Sequence, residues 1–230
     1  GLMAGGLSKN LTELMDVTDR MPQSMVNWLA LTEILSGELA QQEAFIHPVT
    51  GNLLYNDENL NFLGISMGAI FGGVYSALNP KLDNVVLHVG AAAFSQIMFR
   101  AQPFGALLFM LEMAVPDPLD QQKVSAMMQS YLDRIDPATF APYILHEDLP
   151  FGPPSNREQK KLLMQIGLAD TQVPNFASFI HGRLAGLPLL TPSPMDTWGF
   201  ETVEAPFSSP HRSDPGLDPK SQEWRGCDAV

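Results

Sequence analysis

The spacing of apolar residues divides the chain into a helical start, an α/β middle and a polar end. Between Leu11 and Gln42 apolar positions recur every three or four residues, and Pro22 interrupts them, so the pattern predicts two helices. Segment 47–59 is rich in turn-forming residues and predicts a loop that leads into a strand.

The middle of the chain begins with two apolar runs separated by a helical one. "LNFLGI" at 60–65 predicts a short strand, "MGAIFGGVYSAL" a helix that ends at Asn79 and Pro80, and "NVVLHVGAAA" a second strand. A strand, a helix and a strand within about 33 residues, with strands apolar on both faces, are typical of a βαβ unit in a buried parallel sheet.

The second half of the chain predicts more helices, one further strand and a polar tail. A methionine-rich, helical segment extends from Phe94 to about Tyr143. "KKLLMQIGLAD" then predicts a strand that runs into a loop, and "VPNFASFIHGRLAGL" predicts a helix. Residues 208–230 show neither a helical nor a strand period, so we expect coil there, outside the folded domain.

Charge and cysteine content narrow the classes of partner. The chain carries 13 Lys and Arg against 25 Asp and Glu, a formal net charge of -12, which argues against a nucleic-acid partner. Cys227 is the single cysteine, so no internal disulfide is predicted.

The sequence predicts neither a membrane span nor a signal peptide. No apolar run reaches the roughly 20 residues of a spanning helix, and residues 1–16 do not predict a signal peptide. The sequence does not indicate an oligomeric state.

The first strand ends in "GISMG", Gly64 to Gly68, which fits G-x-S-x-G at a junction of strand and helix. A serine in such a turn presents its hydroxyl, and the backbone N–H of Met67 points toward a developing oxyanion. We expect small residues at both glycine positions because bulk would clash across the turn. The pattern favours Ser66 as a nucleophile. The alternative is a glycine-rich turn that only packs helix on sheet or binds a phosphate.

The pair "GISMG" and, about 100 residues later, "IGLADTQVPN" resembles the α/β-hydrolase superfamily and, within it, the bacterial lipases and esterases, over roughly residues 25–191. In that family the acid lies after a late strand, commonly as G-x-x-D-x-x-V-P, which Gly167, Asp170, Val173 and Pro174 match. The resemblance implies a parallel-sheet α/β-hydrolase-like fold in which Asp170 orients the base. Alternatively Asp170 caps the helix that begins near Val173, and both roles can hold together.

The resemblance also indicates where the base lies. The family order of serine, acid and histidine leaves His181 and His211. We expect His181 on the surface of its predicted helix, away from the strand ends. His211 lies in a loop, which the family order permits, so the resemblance makes it the candidate general base. Thr197–Ala205 is the candidate for the strand that normally precedes this histidine.

The resemblance and the polar pattern of the tail together give the domain boundaries that we expect. Residues 1–207 form a hydrolase-like domain with a helical cap insert at 94–143, and the tail follows at 208–230. Because the early strands of the family's sheet are not visible, the resemblance implies an incomplete domain, the C-terminal part of a longer hydrolase. The methionines of the insert either line an adaptable acyl pocket or bury the cap against the sheet.

The resemblance implies hydrolysis of carboxylic esters through an acyl-enzyme on Ser66. The substrate is then a small-molecule or lipid ester, and no metal or organic cofactor is implied. Two segments resemble, more loosely, large exported bacterial lipases. One alternative is a non-catalytic hydrolase-like module that binds an apolar ligand or partner; another is acyl transfer or amide hydrolysis at the same site.

Overall fold

The computed structural model describes residues 12–150 and 160–204, with side chains from Thr18 onward. His211 and the tail predicted at 208–230 lie outside the described residues. The chain divides into two units, Gly1–Ala185 and Gly186–Val230, and each is described by itself.

The described part of the first unit contains three strands with helices before, between and after them, and the described part of the second unit contains two short strands. Short 3₁₀ turns lie at Glu38–Gln41, Glu43–Phe45 and Gln102–Phe104. The elements in chain order are α1 (Thr12–Leu35), β1 (Leu60–Ile65), α2 (Met67–Leu78), β2 (Leu82–His88), α3 (Phe94–Met98), α4 (Gly105–Ala114), α5 (Pro118–Leu132), α6 (Pro137–Phe140), α7 (Pro142–Leu145), β3 (Lys161–Gln165), α8 (Asn175–Leu184), β4 (Leu189–Thr191) and β5 (Thr202–Glu204).

The first unit is a mixed α/β fold with a three-stranded parallel sheet in the order β1-β2-β3. Strand β1, helix α2 and strand β2 form the predicted βαβ unit, and β3 continues the sheet in parallel. The last residues of the three strands share one register, in which Ile65 lies opposite His88 and His88 opposite Gln165. The carboxyl ends of all three strands therefore meet at one edge of the sheet.

The two faces of this sheet differ in burial. The covered face packs against α2 and contributes a core of buried and half-buried apolar side chains. These are Phe62, Val85, Leu87, Leu162 and Met164.

The open face carries the alternate residues of the same strands. The expectation of strands buried on both faces is therefore wrong for β1, where Leu63 and Ile65 are exposed. The open-face residues are Asn61, Leu63 and Ile65 of β1, Asn84, Val86 and His88 of β2, and Lys161, Leu163 and Gln165 of β3.

Helix α1 is continuous through Pro22, so the prediction of two separate helices is wrong. An internal proline costs one helical hydrogen bond and roughly 3 kcal/mol. Tertiary contacts on both sides of Pro22 offset this cost: Met21 packs against one apolar cluster of the core and Met25 is buried in another. Further along, Thr32 is buried against Tyr75 of α2, and their hydroxyls are hydrogen-bonded.

The helices between β2 and β3 are joined by the buried carboxylate of Asp136. Its oxygens accept the N–H groups of Ala93 and Phe94 at 2.8 and 2.6 Å, where α3 begins. They also accept the N–H of Ala138 at 2.8 Å in α6 and the side-chain amide of Gln129 at 2.9 Å in α5. Four donors offset the cost of burying this charge.

The apolar side chains of this helical segment are divided between core and solvent. Met98 is buried and Met128 packs against the same cluster. Helix α4, although apolar at nearly every position, contains no buried residue, and Met113 is 70% exposed. Neither predicted role for the methionines describes the whole set, because Met113 and Met127 face solvent.

Lys160 caps the C-terminal end of α2. Its buried ammonium donates to the carbonyl oxygens of Ser76 and Asn79 at 2.6 and 2.9 Å, where the helix leaves carbonyls without partners. Burial lowers the pKa of Lys160 to about 8, and the nearby charge of Asp83 partly opposes this shift.

The second unit contains a two-stranded parallel sheet. Strand β4 pairs with β5, and Leu190 lies opposite Val203. The strand predicted over Thr197–Ala205 is shorter than expected, because only its last part is extended and paired within the described residues. None of the described helices combines the length and apolar character needed to cross a bilayer.

Candidate active site

Ser66 lies alone between the end of β1 and the start of α2, in a strained backbone conformation. Its φ of 55° and ψ of −121° fall in a region that non-glycine residues rarely adopt. The geometry is fixed on both sides: the Ser66 N–H donates to the carbonyl of His88 at 2.9 Å. The Ser66 carbonyl accepts from the N–H groups of Ala69 and Ile70 at 2.8 and 3.0 Å.

The Ser66 hydroxyl is not used by the helix that follows it. A serine at a helix start commonly caps the first turn with its side chain, but Ser66 makes no such hydrogen bond. The N–H of Met67 also has no hydrogen-bond partner among the described residues. A half-buried hydroxyl thus lies beside an N–H that the described residues leave without a partner, at a helix N-terminus where partial positive charge favours an anion.

The two glycines of the motif have different roles. A Cβ on Gly64 would lie 2.3 Å from the carbonyl oxygen of Gly68 and 2.9 Å from the Cα of Ala69, so this position requires glycine. A Cβ on Gly68 would meet nothing within 4 Å. The expectation that bulk at Gly68 clashes across the turn is therefore wrong, because that position opens away from the strand.

Backbone strain is concentrated at the carboxyl ends of the sheet. In the described part of the chain the non-glycine residues with positive φ are Ser66, Val89, Ala93 and Ala169. Ser66 follows β1, Val89 and Ala93 follow β2, and Ala169 lies in the loop after β3. Strain of this kind gathers at functional sites, and ligands of open parallel sheets bind beyond the carboxyl ends of the strands.

Asp170 lies in the loop after β3, directly after the strained Ala169. Its Oδ1 accepts the N–H groups of Gln172 and Val173 at 2.7 and 3.0 Å, so the capping role is present. Its Oδ2 lies 3.5 Å from the position that a Cβ on Gly167 would occupy. One carboxylate oxygen therefore holds the turn, and the orienting role of Asp170 stays a prediction.

The predicted site residues are only partly brought together. Ser66 and Met67 share one turn. Asp170 lies in the loop after β3, and β3 is two strand spacings, about 10 Å, from β1. In a triad of serine, histidine and acid, the histidine lies between the other two groups. His211, to which the resemblance gives this role, lies outside the described residues.

His181 is buried, so the expectation of a helix-surface histidine is wrong. Its side chain is 0% exposed, and neither ring nitrogen has a hydrogen-bond partner among the described residues. A Cβ on Gly73 would lie 2.7 Å from the His181 ring, so that glycine makes the room. Burial lowers the pKa of His181 to about 4, partly opposed by the charge of Asp136. Gly73 lies about two turns, roughly 10 Å, along α2 from Ser66.

Sequence reasoning did not assign His88 and Gln165 to the site. The ring Nδ1 of His88 lies 3.0 Å from Oε1 of Gln165, at the carboxyl ends of β2 and β3. Both apolar strands end in a polar residue that is followed by any residue and a glycine, "HVG" and "QIG". This shared pattern could have indicated His88 and Gln165. In the described residues no cluster of three or more His, Cys, Asp or Glu could hold a metal ion.

Comparisons with known proteins add no relative. No protein-family model matches the chain, and neither curated proteins nor solved structures give a significant match.

Proposed function

We propose that the chain is a serine hydrolase of the α/β-hydrolase type that acts on carboxylic esters through an acyl-enzyme on Ser66. The observation that carries the proposal is the Ser66 turn. There a strained serine, whose hydroxyl makes no capping hydrogen bond, lies beside the N–H of Met67, which has no partner among the described residues. The parallel order β1-β2-β3, with Asp170 in the loop after β3, is compatible with the resemblance seen in the sequence.

In the proposed reaction the Ser66 oxygen attacks the ester carbonyl while a histidine accepts its proton. The Met67 N–H donates to the oxyanion, and the alcohol leaves with the proton from that histidine. Water then attacks the acyl-enzyme. The histidine accepts the proton of the water and gives it to the Ser66 oxygen as the acid product leaves. The resemblance assigns the histidine to His211 and its orientation to Asp170.

Covalent labelling with a fluorophosphonate tests the nucleophile. We expect the wild-type chain to bind one equivalent at Ser66, and we expect Ser66→Ala not to react. Ser130→Ala is the matched control, because Ser130 is an exposed helical serine whose hydroxyl bonds only to the Met127 carbonyl. A folded wild-type chain that does not react, or a Ser66→Ala variant that reacts equally, overturns the proposal.

A second variant tests the role of Asp170 separately from its role as a cap. Asp170→Asn keeps an oxygen that can accept the N–H groups of Gln172 and Val173, so the turn should survive. If the charge orients and stabilises the base, hydrolysis of a short-chain p-nitrophenyl ester falls by about 10⁴-fold with little change in melting temperature. Unchanged hydrolysis leaves Asp170 as a cap only.

The exposed apolar surface of α4 favours one alternative, a non-catalytic module that binds an apolar ligand or partner. Phe109, Met110 and Met113 are exposed and share one side of this helix. In such a module the Ser66→Ala substitution would not change ligand binding, and the wild-type chain would not react with the fluorophosphonate. The labelling experiment therefore separates the two functions.

A further inference from the structure

The last register of the sheet places a histidine beside the Ser66 turn. The N–H of Ser66 donates to the carbonyl of His88 at 2.9 Å, and the N–H of Val89 donates to the carbonyl of Gln165 at 2.7 Å. The Ser66 Cα is connected to the His88 Cα through the Ser66 N–H, the hydrogen bond and the His88 carbonyl. These bond lengths limit the separation of the two Cα atoms to about 7 Å. This separation is within the combined reach of a serine and a histidine side chain.

The side-chain hydrogen bond of His88 orients its ring. Nδ1 lies 3.0 Å from the Gln165 amide oxygen, which can only accept, so this contact is a hydrogen bond in the tautomer that carries its proton on Nδ1. Nε2 then has the lone pair that a general base needs. Because Gln165 lies on β3, this contact holds the Nδ1 edge of the ring toward β3.

The loop after His88 is held against the Ser66 turn. Val89 has a φ of 49°, which is a genuine outlier for a β-branched residue. A Cβ on Gly90 would lie 3.2 Å from the Cβ of Ala69, in the first turn of α2. The chain thus leaves β2 in a strained conformation that keeps it close to the start of α2. His88 itself is exposed, so its side chain has room to turn.

We propose that His88, oriented by Gln165, accepts the proton of Ser66, in the role that the resemblance assigns to His211. This inference rests on the nucleophilic role of Ser66 proposed above. As the Ser66 oxygen bonds to the ester carbonyl carbon, its proton moves to Nε2 of His88. The imidazolium then gives that proton to the departing alcohol oxygen. Gln165 is a positioning residue, because it acts through the tautomer of the ring.

The test measures the rate of fluorophosphonate labelling in the full chain. We expect His88→Ala to slow labelling by about 10²- to 10⁴-fold, the usual contribution of a general base. Added imidazole should restore part of the rate in this variant, because a free base can occupy the vacated space. His47→Ala is the matched control, since the ring of His47 only accepts N–H groups within its own turn.

Two substitutions test the positioning role of Gln165. Gln165→Glu keeps an oxygen acceptor for Nδ1, whereas Gln165→Leu removes it. We expect the leucine variant to label more slowly than the glutamate variant, at equal melting temperatures. Equal labelling rates in the two variants would contradict the positioning role.

The outcomes separate this inference from the proposed function. If the wild-type chain does not label, the proposed function fails and the role of His88 fails with it. If the wild type labels and His88→Ala labels at the same rate, the role of His88 is overturned while Ser66 stays the nucleophile. Slow labelling of His88→Ala that imidazole does not restore, together with a lowered melting temperature, indicates a structural histidine and also overturns the inference.

Discussion

The two faces of the parallel sheet are made by alternate residues of the same strands, yet they differ in what they do. On the covered face Leu87 is 0% exposed against α2, whereas on the open face Leu63 is 63% exposed. The covered face buries apolar area and stabilises the fold. The open face ends in the His88–Gln165 pair beside Ser66. The comparison indicates that stability and the proposed chemistry depend on opposite sides of one sheet.

Matched leucine substitutions test this difference most strongly. We expect Leu87→Ala to lower the free energy of unfolding by about 2–5 kcal/mol, because it removes a buried side chain and leaves a cavity. We expect Leu63→Ala to change it by less than about 0.5 kcal/mol, as for other exposed positions. Urea unfolding of both variants measures the contrast. Equal losses would mean that the open face is also packed in solution.

Acid should weaken the helices on the covered side through His181. The pKa of His181 is about 4 in the folded chain, against 6.5 for a free histidine side chain, so between these values the unfolded chain binds more protons. The free energy of unfolding therefore falls as the pH drops from 6.5 to 4, by about 3 kcal/mol. His181→Gln cannot titrate and should lack this component. Parallel pH profiles of the two proteins would disprove the assignment.

The glycines of the Ser66 turn provide a smaller contrast. Gly64→Ala places a Cβ against the Gly68 carbonyl, and we expect it to lower the free energy of unfolding by about 1–3 kcal/mol. Gly68→Ala meets open space inside a helix, so we expect no loss and a gain of up to about 1 kcal/mol. Thermal unfolding of the pair checks this prediction. A destabilised Gly68→Ala variant would show that the turn is tighter than described.

The smallest expected effect on stability concerns His88. Because His88 is exposed at the end of its strand, we expect His88→Gln to change the free energy of unfolding by less than about 0.5 kcal/mol. The covered face predicts several times that loss for Leu87→Ala. Chemical denaturation of His88→Gln measures the difference. A loss above about 1 kcal/mol would assign His88 a part in holding the sheet together.

The sequence predicted the elements whose signals are local. The Ser66 turn follows from adjacent residues, since Gly64 admits the tight turn and an apolar run begins directly after it. Strand β3 and helix α8 were likewise expected near their observed positions. These signals do not depend on which distant segments pack together.

Features that depend on distant segments were not predictable in this way. His181 is buried because Gly73, far away in the sequence, leaves room for its ring. The pairing of His88 with Gln165 depends on the register of β2 and β3, which apolar runs alone do not specify. Helix α1 continues through Pro22 because packing outweighs a local preference.

Asp136 couples segments that are far apart in the chain. One carboxylate accepts the amides of Ala93, Phe94 and Ala138, so loss of its position removes the partner of all three N–H groups at once. Amide hydrogens that share a single acceptor group should exchange with solvent through a common opening event. We therefore expect the first turns of α3 and α6 to open together when the Asp136 carboxylate is displaced.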